Sequence, residues 1–178
     1  MAHHHDKNRY ALAVGHIAIE WNYLERDLQC LAQRYLGLDE ETTARVFAYM
    51  GNASRAEFTE WLAGEHETDA VLKSHVAHLV ALFHRLRANR NIVEHGVPAL
   101  TRDGEFLGEI IKLGRRSGDM PFAASQETLD QFLKHLRAAR DYAIAIQGAQ
   151  ANPDEISALE KPSMPQRMKP TAQRVEER

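Results

Sequence analysis

A chain of 178 residues with 44% hydrophobic side chains is long enough for one core-bearing domain and short for two. Its formal net charge of −3 excludes a general basic field for nucleic acid, so any chemistry on a phosphate backbone has to rest on a local cluster. The single cysteine, Cys30, excludes an internal disulfide. The absence of a bilayer-length apolar run or signal-peptide core adds the expectation of a cytoplasmic chain without membrane contact.

Residues 1–8 carry His3, His4 and His5 and read as a tag-like, disordered N-terminus, because adjacent histidines in a loose end fix no metal geometry. The first long helix is predicted from about Asn8 to Leu36. Val14, Ile17, Trp21, Leu24, Leu28, Leu31 and Tyr35 alternate three and four residues apart and form one stripe that must be buried. Cys30 lies next to Leu31 and reads as a small core filler rather than a nucleophile. Gly37 stops this helix, and Asp39 caps a shorter one through Met50, with Glu40 and Glu41 at its positive end. Ser54 and Glu57 form a capping-box pattern for a third helix to about Ala63, in which Phe58 and Leu62 give an apolar edge beside Trp61.

Thr68 or Asp69 caps a second long helix that ends near His95, with Gly96 as its stop. Its stripe runs Leu72, Val76, Leu79, Phe83, Leu86, Arg90 and Val93, and Arg90 stands where the spacing calls for a hydrophobe. Pro98, an Asp103-Gly104 turn and the run Phe106 to Leu113 predict a small hairpin or ordered loop. Ser125 then caps a last long helix whose stripe is Leu129, Phe132, Leu136, Ala139, Ala143 and Ile146. Four prolines and few large apolar groups after Ala151 predict a disordered tail over residues 151–178. The expected fold class is therefore all-α: a bundle of four or five helices over residues 9–150, with a small hairpin or ordered loop between the last two long helices. Successive long helices are expected to run antiparallel.

The segment Arg90-Asn91-Ile92-Val93-Glu94-His95 places a permanent cation and a titratable imidazole near a helix end. Histidine moves protons near neutral pH, and arginine offers a planar fork of donors to phosphoryl oxygens. On an ideal helix, however, Arg90 and His95 point ~140° apart, while Arg90 and Glu94 share a face. Either loosening of the last turn at Gly96 or a second copy of the chain would have to join the pair. The bland alternative is a structural ion pair of Arg90 with Glu94 or Glu20, with His95 a helix end favoured by the dipole.

With an asparagine directly after the arginine, four residues between arginine and histidine, and a bundle around them, the motif resembles that of the HEPN superfamily over about residues 8 to 150. The resemblance implies a HEPN-like bundle and a homodimer with both motifs facing one cleft. It also implies a metal-independent endoribonuclease without cofactor that leaves 2′,3′-cyclic phosphate and 5′-hydroxyl ends, in a toxin or defence setting. Arg90 and His95 would be catalytic, with Asn91 and Glu94 supporting them. The implied alternative is a non-catalytic dimeric module that binds a nucleotide, RNA or protein. Some toxins of the family are neutralised through a tyrosine two positions after the histidine. That position is Val97 here, so this mode finds no support, while a separate antitoxin stays open.

Weaker candidates surround the motif. Arg87, Arg115 and Arg116, with Arg85, are possible contacts for RNA phosphates, although solvated charge explains each at least as well. Asn89 either orients the site or caps a frayed turn. His75 and His78 are three residues apart, but no further ligand completes a metal set. Trp21, Trp61 and Tyr23 read as core or interface rather than as platforms for bases.

Overall fold

The computed structural model describes residues 7–113 and 119–171. Helix α1 spans Lys7–Leu36, α2 Glu40–Ala48, α3 Asn52–His66, α4 Ala70–His95 and α5 Gln126–Ala151. The three long stripes drive this arrangement. Ile17, Trp21, Leu24, Leu28 and Leu31 of α1 are buried, as are the apolar members of the α4 stripe and the whole predicted stripe of α5. They meet in one core, with α1 packed between α3 and α5 and α4 closing the other side against the same two helices. Trp21 lies against Phe83, with ring centroids 4.6 Å apart. No described helix is long and apolar enough to cross a membrane.

Cross-helix contacts give the directions. Glu20 meets Arg137 and Arg140, while further along both helices Gln147 bonds the Asp27 carbonyl, so α1 and α5 run the same way. His75, early in α4, meets Tyr142 late in α5, so α4 runs against them. The long helices α1, α4 and α5 thus alternate in direction, as expected.

The helix ends show where local chemistry decided and where it did not. Gly37 adopts φ 64° and its N–H returns to the Gln33 carbonyl, the left-handed stop that favours glycine. Asp39, Asp69 and Ser125 each accept from a backbone N–H in the first turn of their helix. The Ser54 capping box is not used: the N-cap is Gly51, three residues earlier, and it provides no side-chain cap. Arg55 explains the shift, because its Nε donates to the carbonyls of both Phe47 and Met50 at 3.0 Å. It thereby serves the exposed end of α2 and draws the first turn of α3 against it.

Between α4 and α5 the chain exceeds the expected hairpin. Strands β1 (Val97–Leu100), β2 (Phe106–Lys112) and β3 (Met120–Ala123) form an antiparallel sheet in the order β1-β2-β3. The fold is mostly helical with this small sheet, so the all-α expectation holds only in outline. Phe106, Ile110 and Phe122 are buried and tie the sheet to the helices, with the Phe106 ring 4.4 Å from that of Tyr10. The third strand was illegible because Met120–Ala123 has four residues, too few for a period.

The tail differs most from expectation. Residues Pro153–Ala158 form a 3-10 helix, and the chain then runs extended along α4 as far as Thr171. Ile156, Leu159 and Met168 pack on the core, and Pro165 is buried. Proline-rich composition signals the lack of a helix or strand period, not the lack of a docking groove.

Gly96 joins helix to sheet. Its backbone lies in the ordinary extended region, so its stop is not the left-handed one. Instead, a Cβ there would collide with the Ile110 side chain and the Ile92 carbonyl oxygen. Replacing Gly96 by Ala is expected to lower stability by about 1–3 kcal/mol, read as a lower urea midpoint in equilibrium unfolding.

Candidate functional site

Arg90, Asn91, Glu94 and His95 occupy the last two turns of α4. The final turn stays wound, since Gly96 N–H still bonds the Ile92 carbonyl at 3.0 Å. Even so, Arg90 Nη1 lies 3.5 Å from His95 Nε2 and 3.4 Å from Asn91 Oδ1. Neither route anticipated for joining the pair is needed, because the arginine side chain is long enough to curl round the helix to the histidine within one chain.

Glu94 grips the other side of the guanidinium through an Oε2–Nη2 ion pair, with the two side chains only 15% and 20% exposed. This pair is end-on. Arg90 Nε and Glu94 Oε1 are buried without a hydrogen-bond partner, whereas a fork-to-fork pair would have used both edges. The face of Trp21 lies beneath, its ring centre 5.7 Å from Arg90 Cζ, close enough for attraction between cation and ring. Trp21 is fixed in turn: its Nε1 donates to Glu25 Oε1, and Glu25 meets Arg55 at 3.5 Å. The result is a cation with an apolar floor, one neutralising carboxylate, and one outward nitrogen aimed at an exposed imidazole.

Sequence reasoning placed Trp21 in the core without seeing that it also underlies Arg90. The three-four spacing held the signal, since Trp21 on α1 and Arg90 on α4 both belong to core stripes. Glu20, considered as a partner for Arg90, is engaged elsewhere with Arg137 and Arg140. Burial acts to raise its pKa, but the hydrogen bonds and charge of Arg140 and Arg137 prevail and hold the carboxyl below its usual range. Arg87 is partly buried one turn before Arg90, ~60° away around an ideal helix, and Arg85 is also partly buried. Arg115 and Arg116 lie outside the described residues.

Asn89 has neither of its expected roles. It is buried and turned away from Arg90, donating to the Gln166 carbonyl and accepting from Met168 N–H, both at 2.9 Å. His75 and His78 do not converge on an ion: His75 Nδ1 is 2.6 Å from the Tyr142 hydroxyl, and His78 Nε2 is 2.8 Å from the Pro162 carbonyl. No group of three or more His, Cys, Asp or Glu among the described residues is placed to hold a metal. Cys30 is partly buried, and burial raises its thiol pKa, which disfavours the reactive thiolate. Comparison with protein-family models, with curated proteins and with solved structures returned no match, so the functional reading rests on these contacts.

Two outcomes test this geometry. Arg90→Ala leaves Glu94 without a partner, and is expected to cost about 1–3 kcal/mol after allowance for partial solvent access. The double change Arg90→Met with Glu94→Leu should recover most of that loss in urea unfolding. His75 carries a pH dependence. Burial first, then the charges of Lys161 and His78, lower its pKa, so the folded state prefers neutral imidazole. That contribution is full above its ordinary value of about 6.5 and is lost as pH falls below it. The decline in urea midpoint from pH 7 to 5 should therefore be shallower in His75→Gln than in the unaltered chain.

Proposed function

We propose that the chain is a HEPN-like, metal-independent endoribonuclease that acts as a homodimer, in which Arg90 and His95 carry the chemistry. The observation that supports this most is the 3.5 Å approach of Arg90 Nη1 to His95 Nε2 at an exposed helix end. Because Nη1 can only donate, a hydrogen bond between the two has His95 Nε2 accepting through its lone pair. An imidazole in that form can take the proton of a ribose 2′-hydroxyl. The 2′-oxygen then attacks the adjacent phosphorus, the bond to the 5′-oxygen breaks, and the protonated imidazole returns its proton to that leaving oxygen. The guanidinium lies where it can stabilise negative charge growing on the phosphoryl oxygens. Asn91 steadies Nη1, and Glu94 holds the guanidinium plane. The products are a 2′,3′-cyclic phosphate and a 5′-hydroxyl.

The Arg90–Glu94 ion pair favours a second reading, a dimeric module that binds RNA, a nucleotide or a protein without cutting, because a neutralised guanidinium is a weaker electrophile. Purified protein incubated with single-stranded RNA and a chelator separates the two. Cleavage with cyclic-phosphate ends is expected, reduced about 10²–10⁴-fold by His95→Ala and about 10²–10³-fold by Arg90→Ala. Saturable binding without cleavage would establish the second reading. Equal cleavage by both variants would remove these residues from the chemistry.

A further inference from the structure

The chain from Glu160 to Thr171 is held as a peptide ligand is held, rather than as an element of the bundle. Its hydrogen bonds to the rest of the molecule run almost wholly through its backbone. The Pro162 carbonyl meets His78, the Gln166 carbonyl and Met168 N–H both meet Asn89, and Thr171 N–H donates to the Pro121 carbonyl at 2.8 Å. One asparagine amide therefore serves a carbonyl and the N–H two residues later, the same pair of groups that an adjoining strand engages. An antiparallel bridge between Phe122 and Pro170 then adds the segment to the free edge of β3. Lys161 Nζ to Ser74 Oγ, at 2.6 Å, is the side-chain exception.

Two side chains give the segment its apolar hold: Pro165 is buried and Met168 packs against the core. They do not fill the space available. A cavity of about 610 Å³ remains between the segment and α5, lined by Asn89, Phe132, His135, Arg167 and Lys169 among others. Backbone recognition, two apolar anchors three residues apart and a partly filled groove are the marks of strand-addition binding to an extended peptide.

We propose that the α4–α5 groove is a peptide-recognition site, filled in cis by residues 160–171, that takes the same segment from a second copy of the chain. That sequence is the one the groove demonstrably fits. None of the contacts depends on the covalent link to α5, so a segment from a neighbouring chain satisfies them equally. The tether gives the cis segment a high local concentration, so trans binding becomes visible once the cis segment is disabled. The inference stands apart from the ribonuclease reading, since none of these contacts involves Arg90 or His95.

The test uses the full-length chain carrying Pro165→Asp and Met168→Asp, titrated with a fluorescent synthetic peptide of residues 159–171 and followed by anisotropy. Saturable one-to-one binding is expected, at least about tenfold tighter than to the unaltered chain, whose groove is already occupied. Adding Asn89→Asp, which sets a carboxylate against the Gln166 carbonyl, should weaken it about tenfold or more. Should the doubly substituted chain lose its helical circular dichroism, the unaltered chain serves instead. There, excess unlabelled peptide should speed hydrogen exchange at the Met168 amide at least about twofold by displacing the cis segment, leaving α4 protected. Failure of a folded variant to bind, binding indifferent to Asn89→Asp, or Met168 exchange unmoved by peptide would each overturn the proposal.

Discussion

Removing a guanidinium from water costs several kcal/mol unless charge and hydrogen bonds are returned to it. Helix α4 nonetheless carries Arg90 on the stripe that otherwise faces the core. The surroundings meet that demand in parts. Glu94 supplies the opposite charge from one turn on, the Trp21 face supplies the floor, and Asn91 and His95 take the outward nitrogen. The compensation is incomplete, because Nε and the second carboxylate oxygen stay unpartnered. A pair of this kind anchors the cation on one side and leaves Nη1 on the other, beside Asn91 Oδ1 and the exposed imidazole of His95.

Such a site needs a firm base, and three different contacts provide it. Below, Trp21 is tied through Glu25 and Arg55 to the carbonyls that end α2, so the floor under Arg90 is coupled to the packing of the short helices. Beyond the last turn, Gly96 lets Ile110 of β2 come close enough that no larger residue fits, setting the sheet against the end of α4. Behind, Asn89 clamps the C-terminal segment. Residues 89 to 96 therefore face three partners at once: the core, the sheet and the docked segment.

That segment shows how little information a backbone-held peptide leaves in its own sequence. Its partners read backbone carbonyls and N–H groups, and its apolar hold on the interior comes from Pro165 and the partly buried Met168. Asn89 carries the recognition, yet a single polar residue one step away from Arg90 on a helix looks like part of the neighbouring motif until its direction is seen.

Much of the helical architecture was legible because it follows from local rules. Stripes at three-four spacing located α1, α4 and α5, while Gly37, Asp39, Asp69 and Ser125 marked boundaries through φ preference and capping that depend on adjacent residues alone. Arg90 was conspicuous for the same reason, as a break in an otherwise regular stripe. What the sequence could not decide were contacts between residues far apart in the chain: Trp21 beneath Arg90, Arg55 overriding the Ser54 box, β3 completing the sheet, and residues 160–171 lying on Asn89. Even the meeting of Arg90 with His95, only five positions apart, depended on the tertiary setting. Helix geometry sends their Cα–Cβ bonds apart, and only the packing of Trp21 and Glu94 around a long, flexible side chain determines where its charged end comes to rest.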